Sequence, residues 1–295
     1  MQRPLLESGV RPGPWLRATA VGASAATALV VASGALHLGD AHRALALVAL
    51  APMAALALAA WFAHPHLRRP WTAALGLLLA EIALGGAVAL ASPSPALHWL
   101  HVGVASLALA AAVAGTAATL RGERVAAAPW RDYVTLTKPR VMSLLLWTGA
   151  CGMFIGERGV PPAGQFAAAM IGLALACGGA SALNHLLDRD IDQEMKRTAG
   201  RPVASGRVAA PRALEFGLAL SAASFVLLSA LVNPLTAAVA LAGNLFYVIV
   251  YTRWLKRSTV QNIVIGGAAG AVPPLVGWAA ITGSLDLAAW LLFAI

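Results

Sequence analysis

The chain has 295 residues, of which 59% are hydrophobic and 11% are charged, and its mean hydropathy is +0.75. Because soluble domains carry about twice that share of charge, the composition excludes a soluble globular protein. The formal net charge of +9 raises nucleic acid as a partner. The basic residues, however, lie in short loops between apolar runs, so we predict a multi-pass membrane protein with no nucleic-acid partner.

Apolar runs recur along the chain, each near the length of about 20 residues that a helix needs to cross a bilayer. Long runs of Leu, Ala and Val favour helices over the short, alternating strands of a barrel. We therefore predict an all-α, polytopic transmembrane helical bundle. The predicted spans are 18–37, 43–63, 72–91, 98–119, 141–156, 164–187, 212–232, 234–251 and 262–282, with a last one opening near 286.

A basic, polar stretch divides these spans into two groups. We predict a four-helix membrane domain at 1–120, a cytoplasmic linker at 121–140 and a second membrane domain at 141–295. Lys and Arg precede the first span and fill every second loop after it, whereas the opposite loops contain only Arg158. The positive-inside rule then places the N-terminus and the basic loops in the cytoplasm, and we expect the cell (inner) membrane as the location.

The segment NHLLDRDID, from Asn184 to Asp192, is the strongest functional signal. On a helix, Asn184, Asp188 and Asp192 recur every four residues and share one face. Carboxylates at the edge of a hydrocarbon core are costly and indicate a function. Three oxygen-bearing side chains suit a hard cation such as Mg²⁺, and the basic residues that follow suit an anion. The pattern predicts a metal-bridged polyphosphate at the membrane surface; the alternative is a solvated loop of helix caps and ion pairs.

Three stretches resemble a known family: LTKPRVMSLLLWTGACGMFIG (136–156), ALNHLLDRDIDQEMKRTAGRPVASGRV (182–208) and YTRWLKRSTVQNIVIGGAAGAVPPLVGW (251–278). They closely resemble the protoheme IX farnesyltransferases, or heme O synthases, which are UbiA-type intramembrane prenyltransferases. The resemblance covers about residues 130–295.

This resemblance implies transfer of a farnesyl group from farnesyl diphosphate to the vinyl group of protoheme IX, giving heme O for heme A biosynthesis. It implies that Asn184, Asp188 and Asp192 are catalytic and bind Mg²⁺. The implied partners are the two substrates, membrane lipid, and heme A synthase or cytochrome oxidase assembly proteins. The candidate substrate-binding residues are Lys138, Arg140, Arg197, Arg201, Tyr251, Lys256 and Asn262.

The chain departs from the family pattern in one respect. The family has a second acidic motif on a later cytoplasmic loop, whereas after Asp192 this chain has only Glu194, Glu215 and Asp286. We therefore expect a C-terminally truncated prenyltransferase bundle that lacks half of the metal site and is inactive alone.

In the first bundle, His42 and His101 begin, or nearly begin, the second and fourth spans, near the non-cytoplasmic face. Imidazoles on facing helices of a four-helix bundle can ligate a heme iron, and His98 is an alternative ligand. Interfacial histidines wetted by headgroups are the other interpretation. The surrounding sequence, AHRALALVALAPMAALALA and EIALGGAVALASPSPALHWLHVGVASLALAAAV, resembles one four-helix half of heme A synthase over about 15–120. That resemblance implies heme binding, with oxidation of heme O unproven.

Two other functions remain open. The same fold can prenylate a quinone precursor, and a non-catalytic heme-binding or heme-handoff membrane protein would need no transferase chemistry. Aromatic acids as acceptors would test the first alternative, and heme binding without transferase activity would favour the second.

Overall fold

The computed structural model describes residues 12–35, 40–90, 95–121 and 128–295, and within these ranges it contains helices and no β-strand. The prediction of an all-α fold is confirmed. The first four helices are α1 (Pro14–Ala35), α2 (Asp40–Phe62), α3 (Arg68–Leu90) and α4 (Pro95–Arg121). The others are α5 (Trp130–Leu136), α6 (Pro139–Glu157), α7 (Ala163–Leu187), α8 (Arg189–Glu194), α9 (Ala210–Leu231), α10 (Pro234–Leu245), a π-helical segment (Phe246–Leu255), α11 (Lys256–Ser258), α12 (Asn262–Thr282) and α13 (Leu287–Ala294).

Among the described residues, eight helical segments are long and apolar enough to cross a membrane. The protein is therefore a multi-pass membrane protein. The eight include α1 to α4, α7, α9, α12 and the continuous run from α10 through α11. Helix α6, predicted as a span, is not one of them: it has 19 residues, with Arg140 near its start and Glu157 at its end.

The first bundle packs around the indole of Trp71, which is fully buried. A buried indole N–H needs an acceptor, and the Trp71 Nε1 donates to Thr119 Oγ1 at 2.9 Å. Nearly one turn earlier on α4, Thr116 Oγ1 lies 2.7 Å from Ser24 Oγ, which joins α4 to α1. Polar pairs between helices have no water to replace them in lipid, so they help to set the helix register.

The two groups of helices pack against each other through α4 and α9. Val31, Ala105, Leu109 and Val226 form one buried cluster that spans both groups. The predicted division into two domains stays a prediction. Of the predicted linker, residues 122–127 lie outside the described residues, and much of the remainder is helical, in α5 and the start of α6.

An ion-pair cluster joins the same two helices at the other end of their contact. The buried carboxylate of Glu215 on α9 accepts from Arg121 at 2.5 Å and from Arg212 at 2.9 Å. Because Arg121 lies at the end of α4 and Glu215 lies near the start of α9, their ion pair brings these two helix ends together.

Helices α6 and α12 approach at backbone distance, through glycines. A Cβ atom at Gly152 would overlap the backbone of Pro274, and one at Gly277 would overlap the backbone of Gly149. Small residues permit such contacts between helices in lipid, where packing is the main source of association free energy. This contact fixes α6 beside α12 and shapes one wall of the second bundle.

We expect Gly152→Ala to lower the apparent melting temperature of the purified protein by several degrees, since the backbones must separate, at a cost of about 2 kcal/mol. The matched control is Gly267→Ala on α12, where an added Cβ meets no atom within 4 Å. There the better helix propensity of alanine should leave stability unchanged or slightly raised. Equal melting temperatures for the two variants would contradict the close contact.

Candidate active site

The three residues of the Asn/Asp cluster (Asn184, Asp188 and Asp192) lie across a helix junction. Helix α7 ends at Leu187 and α8 begins at Arg189, so the single helix assumed from the spacing is broken at Asp188. Helical hydrogen bonds between residues four apart nevertheless cross the junction. The Asp188 amide donates to the Asn184 carbonyl at 2.9 Å, and the Asp192 amide donates to the Asp188 carbonyl at 2.8 Å.

All three side chains of the Asn/Asp cluster are buried, with at most 2% exposed. The alternative of a solvated loop is therefore wrong for Asp188 and Asp192. The solvated-loop interpretation fits Asp190 instead. The Asp190 side chain is 59% exposed and pairs with Arg257 at 2.6 Å. The hydrogen bond from Arg257 holds the pKa of Asp190 well below its usual range.

Each residue of the Asn/Asp cluster is contacted by one basic side chain. The three contacts are Lys138 Nζ to Asn184 Oδ1 at 2.6 Å, Lys256 Nζ to Asp188 Oδ2 at 2.6 Å, and Arg201 Nη1 to both Asp192 oxygens at 2.8 Å. Loss of the partner of a buried acid is strongly destabilising, so the cluster needs these cations in contact in order to be buried. Burial, and then the nearby charge of Arg201, lower the pKa of Lys138 to about 8.

The π-helical segment contributes a residue that sequence reasoning missed. The Asn184 amide donates to Asp188 Oδ2 at 2.8 Å and to Thr252 Oγ1 at 3.1 Å. Thr252 is fully buried and donates in turn to the Tyr247 carbonyl, five residues earlier, at 2.8 Å. The wide turn of a π-helix is frequent at functional sites. No pattern in the sequence signals this turn, so Thr252 was not identifiable from it.

A cavity of about 330 Å³ lies beside the Asn/Asp cluster. Lys138, Tyr247 and Tyr251 contribute to its lining, and small or aliphatic side chains of α6, α7, α10 and α12 form most of the remainder. The two tyrosine rings stack with centroids 5.4 Å apart. A mostly apolar cavity with a few convergent polar groups is typical of a site for a ligand with an apolar body and a charged head.

Not every predicted site residue joins this group. Lys138, Arg201, Lys256 and Tyr251 lie at the Asn/Asp cluster or the cavity, as described above. The other three lie elsewhere on the surface or at a helix end: Arg140 and Arg197 are exposed, and the Asn262 side chain donates to the Thr259 carbonyl at 2.7 Å. Roles for these three in ligand binding stay predictions.

The ligand atoms that the Asn/Asp cluster offers fit a hard divalent cation. They are carboxylate and amide oxygens, which Mg²⁺ prefers. One of them, Asp188 Oδ1, is buried and has no hydrogen-bond partner among the described residues. A buried carboxylate oxygen without a partner is costly, and a coordinated cation would satisfy it.

A second polar cluster lies inside the first bundle. The imidazoles of His42 on α2 and His101 on α4 have centroids 6.3 Å apart and lie at 87° to each other. Glu81 of α3 belongs to the same cluster: it is 4% exposed, and its Oε2 lies 3.1 Å from His101 Nδ1. Sequence reasoning missed Glu81, although an acidic residue inside an apolar span is itself a functional signal.

The two clusters lie at opposite ends of the helices. His101 precedes Arg121 by 20 residues on α4, which is about 30 Å of helix. Arg121 contacts Glu215 near the start of α9, where Gly217 packs against the last turns of α7 that lead to Asp188. The histidine cluster is therefore far from the Asn/Asp cluster.

Similarity to known proteins identifies the class to which this chain belongs. Residues 145–295 match the UbiA prenyltransferase family, which is half of the chain, so the chain belongs to that family. It is 59% identical over 165 residues to the protoheme IX farnesyltransferase of Symbiobacterium thermophilum, covering 56% of this chain and 55% of that protein. It is 46% identical over 260 residues to the protoheme IX farnesyltransferase of Chloroflexus aurantiacus, covering 87% of this chain and 43% of that protein.

The chain spans about half the length of the curated relatives that it matches. The protoheme IX farnesyltransferase of Thermus thermophilus is 54% identical over 168 residues, which are 57% of this chain and 28% of that protein. No solved structure matches the chain.

Thr252→Val should lower the free energy of unfolding by about 1–3 kcal/mol, because it leaves the buried Asn184 amide short of one acceptor. Thr252→Ser keeps the hydroxyl and should remain closer to the unchanged protein. Thermal unfolding in detergent measures both variants. Equal stability of the valine and serine variants would show that the Asn184–Thr252 hydrogen bond contributes nothing.

Proposed function

We propose that the protein transfers a farnesyl group from farnesyl diphosphate to a vinyl group of protoheme IX, forming heme O for heme A biosynthesis. The observation that carries the proposal is the Asn/Asp cluster, with three cations in contact, at one end of a mostly apolar cavity. Family membership and the names of the relatives support it: the similar proteins are protoheme IX farnesyltransferases.

The cavity suits the two halves of a prenyl diphosphate. Lys138, Arg201 and Lys256 supply positive charge for the diphosphate, and the aliphatic walls accept the isoprenoid chain. The basic loops around this end favour its placement on the cytoplasmic side of the cell (inner) membrane, where a soluble diphosphate and Mg²⁺ have access.

Asn184, Asp188 and Asp192 would hold Mg²⁺. When bound, Mg²⁺ supplies Lewis-acid stabilisation of the diphosphate charge. The cluster's own contribution is to place buried acceptor oxygens opposite the cationic side chains, and one of these oxygens has no hydrogen-bond partner within the described part of the chain. Thr252 orients the Asn184 amide, so its oxygen remains directed to Lys138.

The chemistry begins with cleavage of the C1–O bond of farnesyl diphosphate, whose electron pair leaves with diphosphate. Lys138, Arg201 and Lys256 stabilise the negative charge that develops on the leaving group. The π electrons of the heme vinyl group then form a C–C bond to C1, which leaves a cation on the vinyl carbon next to the porphyrin ring. Water adds to that carbon and loses a proton, which gives the hydroxyl group of heme O.

The walls of the cavity protect the allylic cation before it reacts. Their aliphatic side chains exclude water, which would otherwise capture the cation and release farnesol. The stacked rings of Tyr247 and Tyr251 line the same cavity, and aromatic faces attract cations.

Asp188→Asn and Asp192→Asn should each lower heme O formation by about a hundredfold or more, because each removes a buried charge from the proposed metal site. The assay reconstitutes the full-length protein, because the chain described here is expected to be inactive alone, and it extracts heme after incubation with farnesyl diphosphate, protoheme IX and Mg²⁺. Binding of farnesyl diphosphate is measured in parallel, so that loss of the substrate site is distinguished from loss of the transfer step.

The matched control for these variants is Asp190→Asn. Asp190 belongs to the same segment but is exposed and pairs with Arg257. Its activity should stay near that of the unchanged protein. If all three variants behaved alike, the proposed role of the Asn/Asp cluster would be wrong.

Prenylation of a quinone precursor is the second transferase candidate. The same diphosphate site would serve it, and only the acceptor differs. Competition between protoheme IX and aromatic acids in the assay above decides between them: prenylated aromatic product in place of heme O would replace the heme proposal.

Heme ligation by His42 and His101 stays a prediction. If it is correct, the purified protein shows a Soret band, which His42→Ala abolishes and His98→Ala leaves unchanged. A purified protein without a Soret band, even after addition of heme, would contradict it, and the transferase proposal would be unaffected.

A further inference from the structure

Two of the three cations at the Asn/Asp cluster are carried by segments outside the long helices. Lys138 lies almost directly after α5, and Arg201 lies in the loop of residues 195–209 that joins α8 to α9, which we call the Arg201 loop. A cation can act on a diphosphate only if the segment that carries it is held in place. The contacts that fix these two segments therefore bear on the proposed site.

The backbone of Lys138 has a conformation that needs support. Its φ is 51°, in the left-handed region that residues other than glycine rarely adopt. Such a conformation persists where the surrounding structure holds it. Helix α5 supplies that support, because the Lys138 amide donates to the Thr135 carbonyl at 3.2 Å. Ser181 Oγ of α7 donates to the Leu136 carbonyl at 2.7 Å. The position of Lys138 therefore depends on the position of α5.

The guanidinium group of Arg207 holds the Arg201 loop in three directions. Its Nη2 donates to the Gly200 carbonyl at 3.1 Å, and its Nη1 donates to Ser205 Oγ at 3.0 Å. Gly200 directly precedes Arg201, so the first contact holds the backbone next to the cation. The Arg207 Nε donates to Asp132 Oδ1 of α5 at 3.1 Å. One side chain therefore closes the Arg201 loop and ties it to α5.

Helix α5 and the Arg201 loop also share an apolar contact. Leu136 of α5 belongs to the same buried cluster as Val203 and Val208 of the loop. Burial of apolar surface is non-directional, so it holds the two segments together without fixing their orientation. A charged hydrogen bond has a preferred direction. The Asp132–Arg207 pair therefore adds the orientation that the apolar contact leaves open.

We propose that Asp132 is a positioning residue for the proposed diphosphate site. Through Arg207 it holds the Arg201 loop against α5, so that Lys138 and Arg201 reach the Asn/Asp cluster together. Asp132 does not line the cavity and acts only through other side chains. The inference rests on the proposed function, because the ligand that the two cations share is the diphosphate.

The Asp132–Arg207 pair is exposed enough to contribute little to the stability of the whole fold. The Arg207 side chain is 49% exposed and that of Asp132 is 14% exposed. Solvent screens such a pair, so its contribution to the free energy of unfolding is small. Loss of the pair should leave the fold intact while the Arg201 loop gains freedom to move. This difference separates a positioning role from a structural one.

The experiment measures equilibrium binding of farnesyl diphosphate and of farnesol to the full-length protein in detergent with Mg²⁺. We expect Asp132→Asn and Arg207→Ala each to weaken binding of farnesyl diphosphate by about fivefold. Binding of farnesol should stay unchanged, because farnesol has no phosphate group. The double variant should bind farnesyl diphosphate as weakly as Arg207→Ala alone, since the two residues act as a pair.

Asp132→Glu keeps the negative charge and should recover most of the affinity for farnesyl diphosphate. In the assay of heme O formation, Asp132→Asn should raise the KM for farnesyl diphosphate and leave the KM for protoheme IX unchanged. A loss of general structure would instead affect both substrates. Melting temperatures close to that of the unchanged protein confirm that the variants are folded.

Arg131→Ala is the matched control. Arg131 adjoins Asp132 on α5, but it is exposed and lies over the Trp130 ring. This variant should bind farnesyl diphosphate as the unchanged protein does. The proposal is overturned by equal affinity for farnesyl diphosphate in Asp132→Asn, by a parallel loss of farnesol binding, or by an unchanged protein that does not bind farnesyl diphosphate. An unchanged protein that binds it but forms no heme O refutes the transferase alone, provided that Asp132→Asn still weakens that binding selectively.

Discussion

The second bundle depends on the compensation of buried charge at the end of α7. Asp188 and Asp192 are at most 2% exposed, and burial of uncompensated carboxylates at the edge of an apolar bundle would cost more than a typical fold can supply. The three basic side chains that contact the Asn/Asp cluster remove that cost. They also define a place where an anion can share the same cations, which links the stability of the fold to the proposed binding of a diphosphate.

The cations come from parts of the chain that are distant in sequence. Lys138 precedes its partner Asn184 by 46 residues, and Lys256 follows Asp188 by 68 residues. The site therefore requires α6, α7 and the π-helical segment to be packed together. The glycine contacts of α6 with α12 and the wide π-helical turn provide that packing, and the same elements form walls of the cavity.

The two clusters of polar residues are separated along the helices but belong to one packed body. Helix α4 extends from the histidine cluster to the Arg121–Glu215 contact, and α9 continues from there beside α7. The two sites are therefore about 30 Å apart along α4.

Much of this protein was readable from the sequence, because hydrocarbon permits few backbone structures. The apolar runs predicted the helices, and the buried Asp188 and Asp192 were recognisable as acids at the end of a span. What only the tertiary structure decided is which residues meet them. No periodic pattern in the sequence indicates the π-helical turn that presents Thr252. None indicates the exposure of Arg197 or the approach of Glu81 to His101. These features arise from helix packing between distant segments, and hydropathy and spacing do not record it.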